Sequence, residues 1–334
     1  MSESRRPFRL PVTRELATVV LSTVVLILLS LVFAPSSVAY GALSGSLPFA
    51  AILAIVGLGQ MLVVQQGGFD LSVPGGVSLA VVISTHIPGG NDAQLLPAVL
   101  MAIACALAAG VVNGLLVGFL RLNAIVATIG MNALLYGGVF AVSGGVPRIT
   151  TDLLRSIANG QTFGIANSVL IAIAVLVIVS IVMKKTVVGR RFEAIGANPL
   201  AARAIGLRTR LYQMMAYVLA QLHYCLAGLL IAGITSEPTA WQGDPLLLPS
   251  VAVVVLGGTS LLGGRGFPVS TVIAAFFLNQ LSQFALSVGL PYSAQTIIQA
   301  LALGFGIAVY SLRWTKVKKL FLPTKEGNHA SVVQ

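Results

Sequence analysis

Apolar stretches of about twenty residues alternate with short polar segments along this 334-residue chain. Their approximate bounds are 16–34, 47–66, 71–88, 94–120, 123–143, 165–183, 211–234, 246–264, 267–288 and 294–312. A helix needs roughly 20 consecutive apolar residues to cross a bilayer. The pattern therefore predicts an all-α, polytopic membrane protein with about ten transmembrane helices in a single domain. The third stretch is short and opens on Pro74, Gly75 and Gly76, so a broken or re-entrant helix is expected there. Irregular backbone at membrane depth is tolerated only where protein or a wet cavity surrounds it.

Composition agrees. Hydrophobic residues make up 57% of the chain and charged residues 9%, against about 25% charged in a soluble domain. A net charge of +11 would suit nucleic acid, but the basic residues lie at the ends of the apolar stretches. The positive-inside rule explains that placement better, so no nucleic-acid partner is expected. With both termini inside, only Arg148 and Arg155 of the 20 basic residues fall outside. That bias predicts an N-in, C-in topology, with the tails 1–15 and 313–334 cytoplasmic. The segment 16–34 carries no small-residue cleavage site and reads as a retained span rather than a signal peptide.

The segment 184–210 is a charged island between two apolar spans. It holds Lys184, Lys185, Arg190, Arg191, Arg203, Arg208 and Arg210 against one acid, Glu193. Within it, residues 198–206 read as a short capped helix. Asn198 suits the N-cap, Pro199 the first turn, and Gly206 the left-handed position after the last turn. Such a helix in a cytoplasmic loop implies something that docks on it; the alternative is an amphipathic helix resting on lipid headgroups.

Catalytic patterns are missing. Cys105 and Cys225 sit in apolar spans without ligand-like spacing and read as packing residues. Every Asp and Glu falls at or near a span end, which argues against a proton relay. Gly-Lys never occurs, so the phosphate-cradling loop of ATPases is absent, and any ATP must be bound by another chain. Gly110, Gly114 and Gly118 repeat every four residues and form a smooth face for a neighbouring helix. Asn113, Thr128, Asn132, Gln221, His223, Asn279 and Gln283 are polar positions within spans. Each can glue helices together; as a set they can also line a path for a neutral, hydroxyl-rich solute. For His223, helix packing is the favoured role. Two glycine-rich blocks, 67–72 and 257–265, lie six spans apart and read either as a parallel repeat or as coincidence.

Residues 67–73, Gly-Gly-Phe-Asp-Leu-Ser-Val, resemble the Gly-Gly-Ile-Asp-Leu-Ser-Val signature of ribose-type sugar permeases, the membrane subunits of binding-protein-dependent ABC importers. Residues 113–117, 125–130, 189–203 and 257–266 resemble four further blocks of that family, in order. Pro74-Gly75 and Asn123-Ala124 depart from the family pattern. The resemblance implies a cytoplasmic coupling loop, whose contacts with a separate ATPase subunit fall to Glu193, Ala194, Gly196, Asn198, Pro199, Ala202, Arg203 and Gly206. ATP and Mg are then cofactors of that subunit, and none is bound by this chain. It also implies a second permease copy or paralogue, a periplasmic or lipid-anchored solute-binding protein, and a place in the bacterial inner membrane. A translocation path is expected near Asp70, Ser72, Asn113, Thr128, Asn132, His223, Asn279 and Gln283. Glu237 and Asp244, acids on the outer side, are expected to help seat the binding protein. Self-sufficient sugar carriers, channels, and ABC permeases for nucleosides or other non-sugar solutes remain as alternatives.

Overall fold

A computed structural model describes residues 13–311 apart from Ser236. The basic tail residues Arg5, Arg6, Arg9, Arg313, Lys316, Lys318, Lys319 and Lys325 lie outside them. The described chain is helical almost throughout, so the all-α polytopic expectation holds.

The helices are α1 (Arg14–Phe33), α2 (Tyr40–Gln65), α3 (Val73–His86), α4 (Leu95–Gly114), α5 (Ala124–Ser143), α6 (Asp152–Asn159), α7 (Asn167–Lys185), α8 (Val187–Ala197), α9 (Pro199–Ala204), α10 (Thr209–Ile234), α11 (Leu247–Leu256), α12 (Pro268–Ser287) and α13 (Tyr292–Ser311). Among the described residues, seven helical segments are long and apolar enough to cross a membrane: α1, α2, α4 with its flanking turns, α5, α7, α10 and α12. Their outward faces carry Leu21, Val126, Leu134 and Ile178, each more than 60% exposed. An apolar surface of that extent belongs against lipid rather than water.

Two apolar helices are too short to span alone. At 1.5 Å per residue, the 14 residues of α3 reach about 21 Å and the 10 residues of α11 about 15 Å. The break before α3 was expected. The stretch 246–264 was expected to be continuous, but α11 stops at Leu256. Gly258, Gly263 and Gly264 all take positive φ, between 83° and 89°, and turn the chain back before α12. Only glycine enters that region without steric cost.

The core is built on α2 and α10. α2 is buried over nearly its whole length, packing against α10, α11, α12 and α7. Small residues permit this. A Cβ at Gly57 would lie 2.6 Å from Val253 Cγ2, and one at Gly59 would lie 2.9 Å from His223 Cβ. The stripe expected on α4 is seated on α10: a Cβ at Gly110 would meet Val218 Cα at 2.5 Å, one at Gly114 Met214 Cα at 2.7 Å, and one at Gly118 the Arg210 carbonyl at 3.0 Å. After Gly114, α4 widens into a π-helical turn, Leu115–Phe119.

Two elements have no counterpart in the apolar pattern. α6 is a short amphipathic helix capped by Thr151, whose hydroxyl accepts from Leu154 N–H at 3.2 Å. It packs on α10, where a Cβ at Gly233 would lie 2.5 Å from the Leu154 carbonyl. A two-stranded hairpin, β1 (Gln161–Thr162) and β2 (Ile165–Ala166), follows it.

Candidate functional site

The loop between α7 and α10 is two helices rather than one. Thr186 caps α8, its hydroxyl accepting from Gly189 N–H at 3.2 Å. Asn198 closes α8, donating its N–H to the Ala194 carbonyl, and opens α9. Its Oδ1 accepts from the N–H groups of Leu200 and Ala201 at 3.1 and 3.0 Å. At the far end, Gly206 at φ +83° lets Leu207 N–H reach the Ala202 carbonyl and Gly206 N–H the Arg203 carbonyl. This paired closure ends the helix on satisfied carbonyls. Both caps read from the sequence are present.

The eight candidate coupling residues separate into two groups. Ala194, Asn198, Pro199, Arg203 and Gly206 are exposed and Glu193 is half-buried. Gly196 and Ala202 are buried and face the protein. Two large apolar side chains are exposed here: Leu200 in α9, 79% exposed, and Ile205 at its C-cap, 76% exposed. Neither stood out in the sequence, because one or two apolar residues in a six-residue helix make no pattern.

α8 is clamped to the membrane helices. A Cβ at Gly196 would lie 2.0 Å from the Gln65 carbonyl at the end of α2. That carbonyl accepts from Gly264 N–H at 2.8 Å, and Gln65 Nε2 donates back to the Gly264 carbonyl at 2.8 Å. Next along the chain, Gln66 Nε2 donates to the Phe192 carbonyl of α8 at 2.9 Å. Gly67 and Gly263 also meet, with a Cβ at Gly263 falling 3.3 Å from Gly67 N. The two glycine blocks singled out as a possible repeat are therefore in contact, and α8 sits on their junction.

The chain beyond that junction enters a buried polar knot. Asp70, Ser72, Asn113 and Gln221 are each fully buried. Asp70 Oδ1 accepts from the N–H and from the hydroxyl of Ser72. Ser72 Oγ in turn accepts from Asn113 Nδ2 at 3.1 Å and Gln221 Nε2 at 2.7 Å. Thr128 Oγ1 accepts from Leu71 N–H at 3.0 Å, and Asn132 Oδ1 from Gly75 N–H at 2.8 Å. Five of the expected path residues thus converge on the broken start of α3, drawing in α4, α5 and α10. Asp70 does lie at an element end, as read, yet it is enclosed by protein. Asp70 Oδ2, Asn113 Oδ1, Gln221 Oε1 and the Tyr217 hydroxyl have no protein partner. That hydroxyl sits 2.5 Å from where a Cβ on Gly68 would be. Gln221 was visible as a polar span residue; Tyr217, one turn earlier on the same face, was not singled out.

His223, Asn279 and Gln283 are not part of this knot. His223 donates from Nδ1 to the Leu219 carbonyl at 2.7 Å and lines an apolar cavity between α2, α7 and α10. Asn279 and Gln283 lie on α12. On the side of α5 and α11, Tyr136 donates to Asp244, whose carboxylate is exposed, as is Glu237.

Residues 42–306 match the family described as branched-chain amino acid transport system / permease component. The chain belongs to this permease family. Among its relatives, the galactofuranose transporter permease of Escherichia coli strain K12 is 30% identical over 81% of this chain and 80% of its own. The ribose import permease of the same strain is 32% identical over 78% and 82%. The autoinducer 2 import system permease of Enterobacter sp. strain 638 is 32% identical over 72% and 70%. No solved structure matches. The permease is thus a ribose-type ABC importer component, multi-pass in the inner membrane.

Proposed function

We propose that the permease moves a monosaccharide, or a related polar neutral solute, into the cytoplasm, driven by ATP hydrolysed with Mg on a separate subunit docked at α8 and α9. Two copies, or one copy and a paralogue, enclose the path, and a solute-binding protein delivers the solute from outside. The relatives that import ribose and galactofuranose support the solute class. The proposed topology has ten membrane elements with both termini inside, α3 and α11 being its broken members; the charge bias supports it.

The observation that carries the reading is the construction of α9. Both ends are capped, two apolar side chains project from it, and the adjoining α8 rests on the Gln65–Gly264 junction. An apolar pair exposed on a rigid helix fits a groove on a partner, and the junction passes a push from that partner to the starts of α3 and α12. The test is co-purification of the ATPase subunit with a tagged permease. Leu200→Asp with Ile205→Asp should abolish recovery of the ATPase while leaving thermal unfolding unchanged; undiminished recovery would sink the assignment.

The buried Asp70 is the one observation favouring a self-sufficient carrier, since enclosed carboxylates mark ion-coupled transport. Reconstitution without any ATPase separates the two: the importer reading expects no solute uptake.

A further inference from the structure

Beside α9 lies a cavity of about 500 Å³, which shares Arg203 with the candidate coupling residues. It is lined by Arg203, Arg208 and Arg210, by Phe119, Leu207 and Leu211, and by Thr209. No carboxylate lines it, and among the described residues the one ion pair, Arg155–Asp152, is elsewhere. Arg203 donates to the Thr209 hydroxyl at 3.4 Å, its single hydrogen bond to a side chain. Three arginines thus contribute to one mostly apolar cavity, and a guanidinium presents a planar set of donors that matches phosphate oxygens.

We propose that this cavity binds an anionic phospholipid, with the phosphate held by the three arginines and an acyl chain laid along Phe119 and Leu211. The position fits an interfacial ligand. Phe119 ends the π turn of the α4 span and Leu211 lies in the first turn of α10, so the cavity sits where two apolar helices leave the bilayer. The apolar half decides against a free anion, which has no use for it. Basic pockets between membrane helices on the cytoplasmic side hold acidic headgroups in this way. This inference rests on the cytoplasmic placement of the 184–210 loop proposed above.

The site would act on coupling through two residues. Leu207 lines the cavity and also donates the N–H that closes α9 on Ala202. Arg203 belongs to α9 itself. A lipid held there braces the docking helix against α10.

The test is native mass spectrometry of the full-length permease titrated with phosphatidylglycerol. Arg208→Gln with Arg210→Gln should weaken the tightest phosphatidylglycerol adduct about 30-fold. Arg190→Gln with Arg191→Gln, the same charge change at exposed positions of α8, should leave it unchanged. Should the double variant fail to fold, Arg208→Gln alone is expected to give about a fivefold loss. Equal binding in parent and variant would overturn the proposal. So would displacement of the lipid by inorganic phosphate, which marks a free-anion site. A third overturning result is loss of ATPase recovery in the variant with lipid binding intact, which marks a dock for an acidic protein surface. Lipid binding is read on the permease alone, whereas ATPase recovery by the parent chain tests the coupling role separately.

Discussion

Replacing Gly196 with alanine perturbs the one point where α8, the end of α2 and the turn before α12 all touch. The new methyl carbon would stand 2.0 Å from the Gln65 carbonyl oxygen. Atoms of this kind do not approach closer than about 3 Å, so α8 must retreat by about 1 Å against a close-packed interior. That carbonyl is backbone and already accepts from Gly264, so it has no room to yield. A retreat of 1 Å stretches the 2.9 Å bond from Gln66 to Phe192 beyond hydrogen-bonding distance. Overpacking costs about 1–3 kcal/mol and the lost hydrogen bond about 1 kcal/mol. The better helix propensity of alanine returns at most ~1 kcal/mol. The net loss is about 2 kcal/mol, worth a fall of roughly 3 °C in melting temperature for a chain of this length. The assay is thermal unfolding in detergent followed by tryptophan fluorescence, with Gly130→Ala in parallel. Gly130 lies within α5 with nothing within 4 Å of its added Cβ, so its variant should melt no lower than the parent. In the assembled importer, Gly196→Ala should also reduce ATP-driven uptake. A melting temperature and uptake equal to those of the parent would refute the idea that α8 is clamped at Gln65.

Gly114→Leu should be more severe, because the added carbon meets Met214 Cα at 2.7 Å and leucine adds three more carbons; loss of a detergent-stable fold is expected, and an unchanged melting curve would contradict the contact between α4 and α10. Ser72→Ala removes the atom that accepts from Asn113 and Gln221, stranding those two buried amides at about 1–3 kcal/mol each, while Asp70 keeps the backbone N–H of residue 72. It should lower the melting temperature further than Gly196→Ala and abolish uptake, whereas full uptake would show the knot to be dispensable.

Particular residues show how far the sequence could be read. The caps of α9 were legible because Asn198, Pro199 and Gly206 act on their own neighbours. The stripe of Gly110, Gly114 and Gly118 was legible as a face, though not that α10 covers it. The continuity expected over 246–264 failed because apolar character alone does not report where glycines at positive φ turn a chain. α8 went unread because its buried side, Phe192 and Ile195, answers to α10 and the α2 end rather than to a long apolar run. Gly196 and Ala202 carried the resemblance with the exposed residues around them, yet they pack inward, and a motif does not say which of its members face a partner.

By itself the sequence determined the membrane class, most of the long apolar spans and the caps of α9. Each depends on residues close together along the chain or on summed composition, where solvation and local backbone geometry dominate. Only the tertiary structure decided that Gln65 and Gly264, 199 residues apart, bond to each other, that Ser72 ties α4 and α10 to a buried carboxylate, and that three arginines share one cavity with Phe119. Those are contacts between segments that no local propensity relates. They arise because small residues let helices approach closely, and because polar groups removed from water must find partners wherever the packing places them.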